Sequence, residues 1–415
     1  MTRQVKAAAY IEFGATGHRP VWIRSVIEAF ERIASEWRLN IWVPAEFVDI
    51  HKNWCAPYLS PASRITFRFH EEVVPVRTEQ KGEGLSDFEV IRRCMRADKA
   101  DVCFVGNNVD SILRDFAFSR PGVFKSKLVG IMDYPFLHYK MLASPHTRKW
   151  LSFGRFVTGY LKNLLVCHRT SVAEILMLDP LAPDYYNLIL RTSKYCFLPE
   201  YFDPVEPYPE PRKHLNLPTE RSILLFIGPV AIRKGIYELL NAVEHLYSAD
   251  KTFRSKVSLV MAGVVLPGTR TKFYESVARI RRLYPDAEIV LVDRILTDRE
   301  FTTYLHAADV VCIPYIQSYG TSNLLIQAAA AGRLVLAPDF GIVGELVQRY
   351  NLGLTCNPTD QGDLQTCLYK SVKRANSMDQ AARETLKAFV ANYALPLKNF
   401  GEKVCEAIIK ASGKC

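Results

Sequence analysis

Short runs of adjacent apolar residues alternate with segments of helical period along the whole chain. That alternation predicts parallel strands buried on both faces and covered by helices. The first series of runs is 6–13, 39–43, 65–69, 101–106, 127–132, 164–167 and 195–198, and six prolines then fall between Pro199 and Pro218. The second series is 222–228, 257–263, 288–293, 309–314 and 333–338, with helices over 234–247 and 298–307 between its strands. The last 35 residues read as helical, with a break near Pro396. The expectation is an α/β protein of two Rossmann-like, doubly wound parallel-sheet domains facing a cleft. Its parts are a first domain over 1–204, a proline-rich linker over 205–220, a second domain over 221–378 and closing helices over 379–415. In open sheets of this kind, ligands bind beyond the carboxyl ends of the strands.

Composition narrows the class. With 49% hydrophobic and 23% charged residues in 415, a disordered chain is excluded. The opening residues lack a signal-peptide pattern, and Lys162 and Asn163 interrupt the best candidate for a membrane span, 157–166. The ten cysteines show no CxxC pair and no metal-like spacing; several, such as Cys103 and Cys312, sit inside strand runs, as buried thiols in a reducing compartment do. A cytoplasmic location follows as the expectation. The net charge of +10 is spread too evenly for a nucleic-acid footprint. One asymmetry stands out: residues 134–173 contain no acid, while Lys140, Arg148, Lys149, Arg155, Lys162 and Arg169 alternate with Trp150, Phe153, Phe156 and Tyr160. Two readings are open, a solvated basic face or a surface that meets an anionic membrane from its inner face.

Candidate chemistry lies at the strand ends. After the strand 222–228 the chain reads GPVAIRKGIYELL, so Gly228 ends the strand and Arg233 and Lys234 precede Gly235 at a helix start. This is either a diphosphate site or a solvated cation pair. After Pro314 a loop carries Tyr319, Gly320, Thr321, Ser322 and Asn323 into a helix ending AAAAG; the glycine permits close backbone approach, and the hydroxyls serve as ligand contacts or as ordinary helix caps. In the first half, EFGATGHRP offers Gly14, Gly17, His18 and Arg19, and MDYPFLHYK offers Asp133 and His138. Asn107 and Asn108 close the strand 101–106. Each is a ligand contact or a common turn residue. There is no DxD pair and no His/Cys cluster, so no metal is expected.

The order strand, G-x5-KG, helix, then ADVVCIP, a glycine loop entering a helix ending AxxG, APDFGIVGELV and NLGLTCNPTD resembles the donor half of retaining glycosyltransferases of the GT-B fold, family 4 (glycosyl transferases group 1) type. The resemblance covers about 140 residues. It implies a metal-independent hexosyltransferase without a cofactor, moving a sugar from a nucleotide-diphosphate sugar to a saccharide or lipid-linked acceptor in polysaccharide or glycolipid biosynthesis. Lys234, with Arg233, would neutralise the leaving diphosphate, and His138 would stand near the donor sugar. Gly228, Tyr319, Gly320, Thr321, Ser322, Asn323 and Gln327 would bind the donor; Gly14, Gly17, His18, Arg19 and Asp133 would meet the acceptor. The chain departs from the family pattern at three points: Pro229 replaces an arginine, and Tyr319 and Gln327 (or Gln317 for Tyr319, after a loop shift) replace a pair of glutamates. The alternatives are a non-catalytic GT-B scaffold or partner protein and a sugar-nucleotide epimerase of the same fold.

Overall fold

The computed structural model describes residues 6–15, 19–73, 85–107, 109–120, 122, 125–142, 153–317 and 320–413. The chain divides into two compact units, one of Met1–Met141, Trp150–Tyr201 and Leu395–Cys415, the other of Leu142–Lys149 and Phe202–Ala394.

The first unit holds a seven-stranded parallel sheet of β1 (Lys6–Ile11), β2 (Trp37–Val43), β3 (Ile65–Phe69), β4 (Val102–Val105), β5 (Lys127–Met132), β6 (Val172–Met177) and β7 (Tyr195–Phe197), in the order β3-β2-β1-β4-β5-β6-β7. Two apolar clusters cover its faces. One joins the sheet to the helices Arg19–Ile33 and Leu397–Ala411 through Trp22, Phe30, Phe400, Val404 and Ile408. The other lies under the helices Asp87–Asp98, Asp110–Phe118, Phe153–Cys167 and Ala182–Leu190. The C-terminal helix approaches Arg19–Ile33 closely: a side chain at Gly401 would collide with the Ser25 carbonyl at 2.2 Å, and the Ser25 hydroxyl donates to the Leu397 carbonyl.

One expected strand is corrected. Residues 164–167 are the last turn of the helix Phe153–Cys167, and the sixth strand is Val172–Met177. The run LLVC is helical because Asn163, Val166 and Cys167 turn inward together on one helical face. The true strand was obscured by Glu174, whose carboxylate meets Lys410 at 3.3 Å.

Two-residue strands, β8 (Glu200–Tyr201) and β15 (Ala394–Leu395), pair with each other. The second unit holds β9 (Ser222–Ile227), β10 (Val257–Ala262), β11 (Glu288–Val292), β12 (Val310–Cys312), β13 (Leu334–Pro338) and β14 (Gly353–Cys356), in the order β11-β10-β9-β12-β13-β14. All its pairs are parallel. β14 lay outside the strands expected from sequence, since GLTC has too short an apolar run to signal one. The proline-rich stretch is fastened to this unit: Tyr208 N–H donates to Thr303, and Arg212 reaches the Ala307 carbonyl and Asp309. Of the closing helices, Gln380–Tyr393 stays with the second unit and Leu397–Ala411 returns to the first. Among the described residues no helix is long and apolar enough to cross a membrane.

In both sheets the strand order reverses direction at one place, beside β1 and β4 in the first and beside β9 and β12 in the second. Chain leaving neighbouring strands there diverges to opposite sides and opens a crevice at their carboxyl ends.

Candidate functional site

In the second unit the crevice is built from the segments that follow β9 and β12. Gly228 leaves β9 at φ +94° and hydrogen-bonds through its N–H to the Ala262 carbonyl. The chain then makes a 3-10 turn, Ile232–Lys234, and enters the helix Ile236–Ala249 through Gly235 at φ +72°. Arg233 and Lys234 therefore stand one step before the helix and not in its first turn. Only glycine fits at 235, because an added Cβ would lie 1.8 Å from the Pro314 carbonyl oxygen at the end of the β12 segment. The two segments are joined again where the Arg233 carbonyl accepts the N–H groups of Ile316 and Gln317 at 3.1 and 3.2 Å.

This double tie fixes Lys234. Its Nζ lies 5.5 Å from the centre of the Tyr315 ring and faces Gly228, where a Cβ would come within 3.3 Å of it. Among the described residues no carboxylate pairs with it. Burial, followed by the charge of Arg233, pushes its amine down to about 8. A desolvated ammonium without a counter-ion is a site prepared for an anion. The Arg233 side chain is exposed, and its main chain does the structural tying.

Beside it begins the helix Asn323–Ala330, with Ser322 at its N-cap. Burial raises the Tyr315 phenol and the neighbouring Ser322 hydroxyl lowers it, so the aromatic ring under Lys234 also lies beside the start of that helix. Gly320, Thr321, Ser322 and Asn323 are half-buried here. Gln327 donates through Nε2 to the Asn323 Oδ1 at 2.6 Å, one turn down the same helix face. Tyr319 lies outside the described residues; Pro229 is exposed.

At the equivalent place in the first unit, Glu12 follows β1 and is 2% exposed. Its Oε1 accepts the Gly14 N–H at 3.1 Å and lies 3.0 Å from the Arg19 Nε. The Arg19 guanidinium packs closely over Gly14, where a Cβ would stand 2.7 Å from it and displace the side chain. Burial pushes the Glu12 carboxyl up to about 7, against the lowering effect of Gly14 and Arg19. Asp133, after β5, is likewise raised to about 7, by burial and then by the charges of Asp110, Glu200 and Glu12. Asp110 is also raised to about 7 by burial, with Lys162 opposing, and accepts the Tyr134 N–H at 3.3 Å. Asn107, 8% exposed, follows β4. Gly17, His18 and Asn108 lie outside the described residues.

His138 is 6% exposed in the short helix after β5, and its Nδ1 is 2.8 Å from the Asp179 Oδ2. The other Asp179 oxygen accepts the N–H groups of Leu181 and Ala182 at 2.8 and 3.1 Å. The carboxylate is thereby held by backbone at the carboxyl end of β6, and an ionised carboxylate, which only accepts, puts the proton on Nδ1. Glu12, Asp110 and Asp179 were not among the residues expected from sequence. Position alone, directly after a strand, was the available signal for Glu12 and Asp179. No group of three or more His, Cys, Asp or Glu among the described residues is arranged to hold a metal ion.

Two parallel sheets of this order, each with a crevice at its strand reversal, define the GT-B class. Residues 221–373, a little over a third of the chain, match the model of the family described as Glycosyl transferases group 1, and the fold is of the GT-B type. The curated relatives it matches include a lipopolysaccharide 1,2-N-acetylglucosaminetransferase of Salmonella typhimurium, 27% identical over 140 residues, which are 33% of this chain and 35% of that one. The match thus spans about a third of that relative's length. Among solved structures, a sucrose-phosphate synthase of Thermosynechococcus elongatus superimposes with a TM-score of 0.62 at 16% identity, over 98% of each chain. The Anabaena protein HepE, solved with UDP and glucose, does so with a TM-score of 0.63 at 13% identity, over 98% of this chain and 100% of that one. At such identities the likeness is one of fold.

Proposed function

We propose that this protein is a retaining, metal-independent glycosyltransferase that takes a sugar from a nucleotide-diphosphate donor held in the second unit and passes it to a saccharide or lipid-linked acceptor. The observation that carries the reading is Lys234: a half-buried ammonium without a carboxylate partner among the described residues, held between Gly228 and Tyr315 at the strand reversal of a group 1 domain. In the reaction the bond from the sugar C1 to the diphosphate oxygen breaks, and the acceptor oxygen bonds to C1 on the same face. The acceptor proton passes to the leaving phosphate. Lys234 would stabilise the charge growing on that phosphate, aided by the positive end of the helix Asn323–Ala330. Gln327, already turned toward Asn323, has an amide that can serve a sugar or ribose hydroxyl in place of a carboxylate.

Calorimetry with UDP, GDP and ADP, followed by product analysis on a panel of nucleotide sugars with and without acceptor, tests this. Binding of one nucleotide and transfer with retained anomeric configuration is the expected result. Turnover of the nucleotide sugar in the absence of acceptor would point to an epimerase, and no nucleotide binding at millimolar concentration would leave a scaffold. Part of the same reading is a cytoplasmic protein that meets an anionic membrane through residues 134–173. The exposure of Phe153 (75%), Leu161 and Leu165 on a helix that also exposes Arg155 supports it. Flotation with anionic vesicles checks it.

A further inference from the structure

The first unit contains a second concavity, at the opposite edge of its sheet from Glu12 and His138. It has a volume of about 550 Å³ and is lined by Arg92, Arg96, Lys99, Lys125, Asp101 and Gly122 among others. Lys99 and Asp101 lead into β4, and Lys125 leads into β5, so the concavity sits at the amino ends of these two strands. The two lead-in segments are tied together: Ser126 donates through its hydroxyl to the Ala100 carbonyl at 2.5 Å, and Lys127 N–H donates to the Asp101 carbonyl at 2.9 Å. The segments that carry Lys99 and Lys125 are thus joined.

The charges do not cancel locally. Arg92 is offset by Glu89 through two bonds of 2.5 Å, and the Asp101 carboxylate, which accepts the Ala7 N–H at 2.9 Å, leaves one negative charge against Arg96, Lys99 and Lys125. Arg96, Lys99 and Lys125 have no carboxylate partner among the described residues. The end of the helix Asp87–Asp98 favours cations, and that accounts for Arg96 and for Lys99 at its C-cap. It does not account for Lys125, which arrives from a different segment, or for the concave shape. Three exposed cations around one hollow with a single carboxylate leave an excess of positive charge, which water screens in part and an entering anion would offset.

We propose that this hollow binds a phosphate-bearing group, with Arg96, Lys99 and Lys125 as its ligands. The site is separate from the Lys234 site and does not depend on the proposed transfer reaction. The phosphate belongs either to a small soluble ester or to an anionic lipid headgroup.

The test uses the full chain saturated with UDP, so that phosphate binding at Lys234 does not contribute; if UDP does not bind, Lys234→Ala protein serves the same purpose. It is titrated calorimetrically with inorganic phosphate and glycerol 3-phosphate, and separately floated with phosphatidylglycerol/phosphatidylcholine vesicles and with phosphatidylcholine alone. The triple variant Arg96→Gln/Lys99→Gln/Lys125→Gln is measured in parallel, with its thermal unfolding midpoint as a check on folding. We expect binding that weakens about a hundredfold in the triple variant, at roughly fivefold per cation. Binding of the soluble phosphates identifies a soluble ester, and binding of the phosphatidylglycerol vesicles alone identifies a headgroup. Absence of binding to every probe, or binding that the triple substitution leaves unchanged, overturns the proposal.

Discussion

The amine of Lys234 stands over the ring of Tyr315 at 5.5 Å, and the hydroxyl of that same ring lies beside Ser322 at the start of the next helix. One aromatic side chain therefore adjoins both the cation and the helix end that would face a diphosphate. The amine carries its charge below about pH 8, so UDP affinity should be steady at neutral pH and weaken as pH rises above 8. Lys234→Met should abolish that binding by calorimetry. Because the folded-state value lies below the unfolded one, the buried charge is a destabilising term, fully present at neutral pH and relieved as pH rises toward the unfolded value. The same variant should then unfold at higher denaturant at pH 7, by about 1–2 kcal/mol.

Gly235 is where the β9 and β12 segments touch. Gly235→Ala combines a left-handed φ of +72° with a contact of 1.8 Å to the Pro314 carbonyl. Urea unfolding should show a loss of about 3 kcal/mol or more, and the folded fraction should bind UDP more weakly because the two segments have separated.

Asp179 is a positioning residue for His138. Asp179→Ala should lower stability by about 1–2 kcal/mol through loss of the bonds to Leu181 and Ala182. Asp179→Asn can keep those bonds while losing the charge beside Nδ1. It should leave the unfolding midpoint nearly unchanged and lower kcat of the proposed transfer with little change in KM. A purely structural aspartate would leave kcat unchanged.

Asp133 has a buried Oδ1 without a hydrogen-bond partner among the described residues, and its carboxyl is raised to about 7. A folded-state value above the unfolded one means that the protonated form is favoured in the fold. Stability should therefore fall as pH rises from about 4 to about 7. In Asp133→Asn that slope should flatten, with a gain of about 1–3 kcal/mol at pH 8, measured by denaturant unfolding at several pH values. A slope equal to that of the parent protein would remove Asp133 as its source.

Much of the second unit was legible in the sequence because its strands are unbroken apolar runs and its loops carry glycines at fixed offsets. Gly228, Lys234, Gly235 and Gly320 mark the crevice without any knowledge of contacts. The first unit was less legible. Glu174 interrupts the sixth strand, and the helical run LLVC imitated it. The pairing of His138 with Asp179 spans 41 residues, and nothing local to either position announces the other. The role of Tyr315 under Lys234 was hidden for the same reason: its register relative to the earlier loop is set by the main-chain bonds from Ile316 and Gln317 to Arg233.

The helix Leu397–Ala411 supplies Phe400, Val404, Cys405 and Ile408 to the core of the first unit. During synthesis, the unit that holds β1 to β7 must wait for residues 397–411 before its core is whole, whereas residues 202–394 emerge before them. A fragment cut at the proline-rich stretch would leave the apolar face of Arg19–Ile33 bare to water, an invitation to aggregation for anyone who tries to express that half alone.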